Sequence, residues 1–372
     1  MAQAQAPGVP PSTATGWQAC AAITADTTAR LACFDTWSQS QLPRGTADAA
    51  PSSAPAAASS APPLAAIAPP AVLAPAPEVA VSIEGDCHAG QYSNLSRFWE
   101  LEGGTDCGAF GIRGYRPMSL SIVASDSVNT LPSSPAPGHT AVAATAYRTT
   151  ENRIQLSVRT KVAQGLLTQG DARKDSIWFG YTQQSYWQLF SGPLSRPFRT
   201  TDHEPEAIYV YPADFSLPGG WRMRYAGLGA VHQSNGQPLP LSRSWNRVYL
   251  MAGMEKGNEF TVAARVWQRL NESSGNDDNP DISDFIGRSE IAGYWNFNKA
   301  NTVGFTMRHS LGSQARGSVR LEWLRTLGDR PGAARPSGLR FHTQLFSGYG
   351  DSLIDYNRKR TVLSVGLSLV DF

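Results

Sequence analysis

The chain has 372 residues, a formal net charge of +2 and 41% hydrophobic residues. This length suits two ordinary domains or one larger body with an extension, and a net charge this close to zero gives no sign of a nucleic-acid partner. The most apolar stretch, around residues 64–83, is interrupted by prolines. No membrane-spanning helix is therefore predicted.

The N-terminal part indicates an exported protein. Residues 1–6 look like the residues that remain after a signal peptide is cleaved at a small-residue site. All four cysteines lie before residue 108. An even number of cysteines in an exported chain suggests disulfides with three possible pairings, and one reduced, buried pair is the alternative. Cys20 and Cys33 flank a short helix-like stretch, which favours a local bridge and leaves Cys87 with Cys107.

Composition divides the chain into three parts. Residues 47–77 are mainly Ala, Pro and Ser, and Asp48 is the one charged residue among them. Such a segment cannot bury a core and is expected to be an extended linker. We therefore expect a small N-terminal segment over residues 1–46, a linker over residues 47–83 and a main body over residues 84–372.

The main body is predicted to consist of β-strands. Apolar and polar residues alternate at Ile154, Leu156 and Val158, and again along residues 260–267, 319–324 and 361–372. The segments are roughly ten residues long, with turn-rich pieces between them and aromatic residues near their ends, a pattern typical of transmembrane barrels. We predict an all-β, antiparallel transmembrane barrel, and a soluble β-sandwich is the alternative.

One stretch, residues 229–247, carries a candidate for nucleophilic catalysis. His232 and Ser234 are two residues apart on a predicted strand, so their side chains point the same way and can share a proton. Asn246, from the next strand, can accept the imidazole N–H and hold the ring, as an orienting residue does in serine hydrolases. Taken alone the triple is a weak signal, because most such combinations arise by chance.

The phase of the two strands strengthens this signal. Each polar residue continues a row that is otherwise mainly apolar. The other members are Arg224, Ala226, Leu228 and Ala230 before His232 and Ser234, and Val248, Leu250 and Ala252 after Asn246. Such faces would form the core of a soluble protein and the lipid-facing surface of a transmembrane barrel.

Several ordered motifs resemble those of the outer-membrane phospholipase A family. They are YTQQSYWQLF at 181–190, PFR at 197–199, EP at 204–205, HQSNG at 232–236, SRSWNR at 242–247, NDDNPD at 276–281 and YGDSLIDYN at 349–357. The resemblance extends from about residue 110 to the C-terminus and does not cover the first hundred residues. It implies an antiparallel barrel of about twelve strands in a Gram-negative outer membrane. It also implies a calcium-dependent homodimer that hydrolyses the acyl ester bonds of phospholipids and lysophospholipids.

The resemblance implies roles for particular residues. Ser234 matches the nucleophile, His232 the general base and Asn246 the orienting residue, and the backbone N–H groups of Ser234 and Gly236 match the oxyanion contributors. A lipid-facing catalytic group makes sense only if the substrate itself lies in the bilayer. A structural or transport barrel with a vestigial site is the alternative function.

The calcium ligands of the family match Ser242, the backbone carbonyl of Gln237, and Ser195 of the partner subunit. Gln237 stands where the family usually has arginine, which matters little for a carbonyl ligand. Leu239 stands where an acidic residue is frequent, which puts a second, carboxylate-dependent calcium site in doubt although Asp278 is present. The acidic loop around Asp278 lacks the glycine of an EF-hand, so a solvated loop is favoured and Asp278 is only a candidate ligand.

A dimer contact is predicted at Gln183, which is in phase with the outward-facing Phe179 and Tyr181. A side-chain amide in hydrocarbon needs a hydrogen-bonding partner, which a second copy can supply; a hydrated position near the membrane surface is the alternative. The other histidines, among them His139 and His203, have no Ser or Cys partner in a comparable frame and are expected at the surface or in the lumen. The N-terminal segment is expected to be periplasmic.

Overall fold

The computed structural model describes residues 17–41, 87, 89–168, 170, 172–328 and 338–369. The chain divides into two units, Met1–Glu78 and Val79–Phe372. The predicted linker, residues 47–83, lies outside the described residues. No helix in the described part of the chain is long and apolar enough to cross a membrane.

The described part of the first unit, residues 17–41, contains two helices joined by a disulfide. They are α1 (Trp17–Ala21) and α2 (Thr27–Gln41). The Asp26 carboxylate accepts the backbone N–H groups of Thr28 and Ala29 at 2.9 and 3.1 Å, which caps the start of α2. The Cys20–Cys33 bridge, with 5.4 Å between the Cα atoms, ties the helices together and confirms the predicted local pairing.

The second unit consists mainly of antiparallel strands. Its helices are α3 (Asn94–Trp99) and α4 (Ile282–Phe285), with 3-10 turns at Gly103–Thr105, Gly192–Leu194, Pro218–Gly220 and Leu353–Asp355. Its strands are β1 (Ile112–Gly114), β2 (Met118–Ser125), β3 (Thr150–Gln164), β4 (Ser176–Trp187), β5 (Thr200–Leu217), β6 (Trp221–Ser234), β7 (Ser244–Lys256), β8 (Phe260–Arg269), β9 (Ser289–Asn298), β10 (Asn301–His309), β11 (Gly317–Thr326), β12 (Leu339–Gly348) and β13 (Arg360–Leu369).

The strands close into a barrel. From β2 to β13 each strand pairs with the next in the chain, and residues 362–369 of β13 pair with β2 to complete the ring. β1 and β2 both pair with β3, against residues 158–160 and 150–155 respectively, so they share one position in the wall. The thirteen strands therefore form a closed antiparallel barrel of twelve positions, which confirms the predicted fold.

Side chains alternate between the two faces of the wall. In β13, Leu363, Val365 and Leu367 point outward and are 41–48% exposed, whereas Val362 and Ser364 point inward and are no more than 1% exposed. The outward apolar side chains form the surface that faces lipid in a transmembrane barrel. The predicted period of two is confirmed.

The predicted outward row of β6 is wrong at its first residue, Arg224. Arg224 is predicted on the outward row with the catalytic candidates, but it is buried inside the barrel at 2% exposed. A β-bulge between Met223 and Tyr225, in the pairing with β7, adds one residue and reverses the phase before it. Arg224 consequently points inward, where its Nε lies 3.0 Å from a Glu255 carboxylate oxygen.

The interior of the barrel is polar, and many of its charged side chains form ion pairs, which offset the cost of removing them from water. The pairs include Arg116–Glu204 at 2.7 Å, Arg308–Glu290 at 2.7 Å and Arg265–Glu206 at 3.8 Å. Glu322 also points into the barrel, where it lies 3.5 Å from His342. These groups occupy the side of the wall opposite to the apolar surface.

One end of the barrel is filled by the segment before β1. Trp99 of α3 packs against Tyr115, Trp178 and Tyr225, with ring centroids 5.7–6.1 Å apart. All four rings are almost fully buried, so they form an aromatic core within the barrel.

The same segment is closed by the Cys87–Cys107 disulfide, with 5.4 Å between the Cα atoms, which confirms the second predicted pairing. Arg224, near the start of β6, contacts Glu102 of this segment at 2.5 Å. Because β6 ends at Ser234, the catalytic candidates lie at the other end of the barrel.

Candidate active site

His232 and Asn246 are brought together by the pairing of β6 with β7. Their antiparallel register places them directly opposite each other, and His232 Nδ1 lies 2.8 Å from Asn246 Oδ1. Because an amide oxygen only accepts, the imidazole donates from Nδ1, and in the neutral ring Nε2 then carries no proton. Nε2 is thus able to take a proton, which is what the predicted general base must do.

Ser234 lies on the same face, two residues along β6 from His232. Its cross-strand neighbours are His203 on β5 and Ser244 on β7. Among the residues that the structure describes, His232 and Asn246 are hydrogen-bonded, and Ser234 lies beside them without a hydrogen bond to His232. Catalytic hydrogen bonds commonly tighten only when substrate is bound.

These three residues face outward among apolar side chains. Leu228 and Leu250, in the same two rows, are 53% and 62% exposed. The predicted phase of both strands around the site is therefore confirmed. The group lies on the surface that faces lipid in a transmembrane barrel.

Glu272 also belongs to this group, although it was not predicted from the sequence. Its carboxylate accepts a hydrogen bond from Asn246 Nδ2 at 2.8 Å. Leu270 N–H donates to the Asn246 carbonyl at 2.8 Å, which holds the loop after β8 against β7. The available signal was a glutamate just beyond the strand next to β7, but only the path of the loop decides whether it reaches Asn246.

Two other histidines lie close to the catalytic candidates: His203 on the outer surface, within the expected surface or lumen positions, and His139 buried, which was not expected. His203 faces outward from β5 beside Ser234, and its Nδ1 lies 2.7 Å from Tyr181 OH. A Cβ atom at Gly236 would lie 3.8–3.9 Å from the His203 ring. His139, 8% exposed, is buried in a loop contact with Asp278. His203 lies beside Ser234 because of the register between β5 and β6, whereas His139 is positioned by the path of its loop.

The loop between β6 and β7 is held in place by Asn235. The Asn235 Oδ1 accepts the N–H groups of Arg243 at 2.9 Å and Gln237 at 3.3 Å, and its Nδ2 donates to the Leu241 carbonyl at 2.7 Å. Gly236 has a φ of +60°, a left-handed conformation that glycine adopts without strain. A backbone fixed in this way can supply preorganised N–H donors.

Asp278 is tied into the site, so the expectation of a solvated loop is wrong for this residue. Its carboxylate accepts from Ser242 Oγ at 2.7 Å and from Ser244 Oγ at 3.0 Å, and lies 2.9 Å from His139 Nε2. Burial disfavours the charged carboxylate, but the hydrogen bonds from Ser242, His139 and Ser244 outweigh it and lower the pKa of Asp278. Asp278 is therefore negatively charged at neutral pH.

The other candidate calcium ligands lie at the same end of the barrel. Ser195 is in the loop between β4 and β5, and its carbonyl accepts from Trp187 Nε1 at 2.7 Å. The Gln237 side chain donates to the Arg199 carbonyl at 3.0 Å. Leu239 is 61% exposed and carries no ligand atom in its side chain. The described residues contain no cluster of three or more His, Cys, Asp or Glu side chains placed to hold a metal ion.

Comparison with known proteins identifies the family. The family model for phospholipase A1 matches residues 95–369. The chain belongs to the phospholipase A1 family. A protein of Neisseria meningitidis serogroup B that provisionally carries the name phospholipase A1 is 35% identical to it, over 95% of this chain and 90% of that protein.

Two solved phospholipase structures have the same barrel. Outer membrane phospholipase A from Escherichia coli has a TM-score of 0.59 and 28% identity, and covers 71% of this chain and 100% of its own. The calcium-bound dimer of the Salmonella typhi outer membrane phospholipase has a TM-score of 0.60 and 27% identity, and covers 72% of this chain and 94% of its own. The predicted family, the barrel fold and the assignment as a phospholipase enzyme are confirmed.

On this phospholipase barrel, Gln183 lies in an outward row of polar side chains. Tyr181 OH donates to its Oε1 at 3.2 Å, and its Nε2 donates to Ser185 Oγ at 3.3 Å. The row continues onto β5 through Thr201 and His203. The amide thus has partners within its own chain, and contact with a second copy stays a prediction.

Proposed function

We propose that this phospholipase hydrolyses the acyl ester bonds of phospholipids and lysophospholipids, with Ser234 as nucleophile, His232 as general base and Asn246 as orienting residue. The 2.8 Å contact between His232 Nδ1 and Asn246 Oδ1, on the outward face, carries the proposal. A catalytic group that faces lipid suits a substrate that is itself part of the bilayer. The apolar outer surface and the outer-membrane relatives support a location in a Gram-negative outer membrane. The N-terminal segment is proposed to lie on the periplasmic side.

The mechanism follows from the tautomer of His232. Nε2 takes the hydroxyl proton as Ser234 Oγ attacks the ester carbonyl carbon. The resulting oxyanion accepts hydrogen bonds from the backbone N–H groups of Ser234 and Gly236. His232 then gives the proton to the leaving alcohol oxygen as the acyl C–O bond breaks. A water molecule deprotonated by His232 finally releases the fatty acid from Ser234.

Calcium is proposed as the cofactor because hard oxygen ligands lie next to the nucleophile. Ser242 Oγ and the Asp278 carboxylate are 2.7 Å apart, and Ser244, the cross-strand neighbour of Ser234, also contacts Asp278. These oxygens, the Gln237 carbonyl and Ser195 of the partner subunit would hold the ion. Bound calcium would polarise the ester carbonyl. The calcium-bound relative from Salmonella typhi supports this assignment.

A homodimer is proposed as the active form. One chain offers few ligands for a cation that prefers six to eight oxygens, and Ser195 of the partner subunit adds to them. The outward polar row around Gln183 lies on the surface that two barrels would share. Hydrogen bonds between such groups can stabilise association within lipid. Gln183→Ala is accordingly expected to weaken the dimer in detergent.

The proposal is tested on the purified protein refolded in detergent micelles. Fatty acid release from phospholipid should require Ser234 and should fall when calcium is chelated. A sulfonyl fluoride should abolish hydrolysis and label Ser234, which peptide mass analysis locates. Labelling of a different serine together with loss of hydrolysis would contradict the assignment.

A further inference from the structure

Asn246 makes side-chain hydrogen bonds in two opposite directions. Its Oδ1 lies 2.8 Å from His232 Nδ1, and its Nδ2 donates to Glu272 Oε1 at 2.8 Å. The three residues come from β6, from β7 and from the loop after β8, which are neighbours in the wall. They form a line of contacts that runs along the outer surface away from Ser234.

The direction of the Asn246 amide matters because its two ends are alike in size and opposite in function. With Oδ1 toward His232, the imidazole keeps its proton on Nδ1 and Nε2 carries none. If the amide turned over, its NH₂ group would donate to Nδ1 and the imidazole proton would move to Nε2. His232 would then be unable to take a proton from Ser234.

A carboxylate next to the amide selects one of these orientations. A carboxylate accepts hydrogen bonds and cannot donate them, so Glu272 attracts Asn246 Nδ2 and repels Oδ1. A hydroxyl group or a water molecule at the same place can both donate and accept, so it would not favour one orientation of the Asn246 amide over the other.

Glu272 is held in position by its own loop. Leu270, two residues before Glu272, donates its N–H to the Asn246 carbonyl at 2.8 Å. Arg269 anchors the same loop through the Pro280 carbonyl at 3.0 Å and the Asp277 carboxylate at 2.5 Å. These loop contacts, and not the pairing of strands, therefore position the Glu272 carboxylate next to Asn246.

We infer that Glu272 is a positioning residue for ester hydrolysis. Its carboxylate orients the Asn246 amide, and the amide holds His232 in the tautomer that accepts the Ser234 proton. Glu272 contacts no reacting atom and acts through Asn246. The inference deepens the proposed function and rests on it, because it requires Ser234, His232 and Asn246 to act as assigned.

The first test compares kcat and KM of three variants in the full-length protein. Glu272→Ala is expected to lower kcat about 10-fold with KM unchanged, because substrate contacts remain intact. Glu272→Gln is expected to lower kcat about 3-fold, because its amide oxygen still accepts but its NH₂ group can turn toward Asn246. Glu259→Gln is the matched control, since Glu259 is exposed in the turn at the other end of β7 and β8, and wild-type kcat is expected.

The second test repeats Glu272→Ala in an Asn246→Ala background. With Asn246 removed, loss of Glu272 should have no further effect on kcat, because the line of contacts is already broken. Wild-type kcat in Glu272→Ala, or the same loss with and without Asn246, would overturn the inference. If Glu272→Ala does not fold, Glu272→Gln, which preserves side-chain size, decides the question in the same two backgrounds.

Failure of the proposed function has a different signature. Wild-type hydrolysis by Ser234→Ala would show that Ser234 is not the nucleophile. The proposed function and the inference about Glu272 would then both be wrong. If Ser234→Ala is inactive while both Glu272 variants keep wild-type kcat, only the inference fails.

Discussion

Inside the barrel, charged side chains are held by several partners at once. Arg199 donates to Glu151 at 2.6 Å and to Asp355 at 3.0 Å, and Arg360 contacts the same Asp355 oxygen at 2.8 Å. The four side chains are almost completely buried. Removing one cation would leave buried carboxylates without a full set of partners.

On the outer face, polar side chains are linked one after another. His232 contacts Asn246, and Asn246 contacts Glu272, with a single hydrogen bond at each step. Loss of one member interrupts the line but leaves no buried charge, since His232 is exposed to the surroundings of the barrel. We therefore expect substitutions in the interior network to lower the free energy of unfolding, and substitutions in the outer line of contacts to lower kcat.

His232→Ala is expected to have the largest effect on rate. Without a general base, kcat should fall about 10⁴-fold or more. The free energy of unfolding should change by less than about 0.5 kcal/mol, because an exposed side chain is removed. Both quantities can be measured on one preparation, by fatty acid release and by urea unfolding in detergent.

Asn246→Ala provides the comparison for His232→Ala. A neutral orienting residue contributes less than the base itself, so a fall of about 30-fold is expected, with measurable activity left. A greater loss in Asn246→Ala than in His232→Ala would contradict the assigned roles.

Arg199→Ala is expected to show the opposite behaviour to His232→Ala. It removes one of the two cations that Glu151 and Asp355 share inside the barrel, which should lower the free energy of unfolding by about 3–5 kcal/mol. Arg173→Ala is the control, because that side chain is 44% exposed and its ion pair with Asp214 is weakened by solvent. Equal stability of the two variants in urea would show that the interior network is not stabilising.

The sequence was sufficient where strand periodicity decides the position of a residue. His232, Asn246 and the outward rows of β6 and β7 follow from a period of two, and the family motifs supply the barrel and the enzyme class. Arg224 was placed wrongly because a bulge adds one residue and reverses the phase. No local pattern in the sequence encodes that bulge.

Loops account for the contacts that the sequence could not predict. Glu272 reaches Asn246 across 26 residues of sequence, and His139 reaches Asp278 across 139. Neither contact follows from periodicity, because the path of a loop depends on what it packs against. The same reason explains why Asp278 was expected in solvent and lies instead among hydroxyl and imidazole groups.

Mixing two inactive chains tests whether the site on the outer face spans two barrels. The chains are Ser234→Ala and Ser195→Ala. A mixed dimer contains one site with an intact nucleophile and Ser195 of the partner subunit. Random pairing should restore about a quarter of wild-type activity. Activity no higher than that of the two separate variants would show that the partner contributes no ligand.

The smallest effect is expected from deleting residues 1–80, which removes the first unit. The Cys20–Cys33 bridge is internal to that unit, whereas Cys87, Cys107 and the aromatic contacts of Trp99 lie beyond the deletion. The truncated barrel should therefore fold and keep kcat within about 2-fold of wild type, as expected of a separable unit. Deletion through residue 110 is the contrasting variant, because it also removes α3 and the Trp99 core and should lower the free energy of unfolding. A refolded barrel that lacks only residues 1–80 and hydrolyses nothing would show that the first unit belongs to the active enzyme.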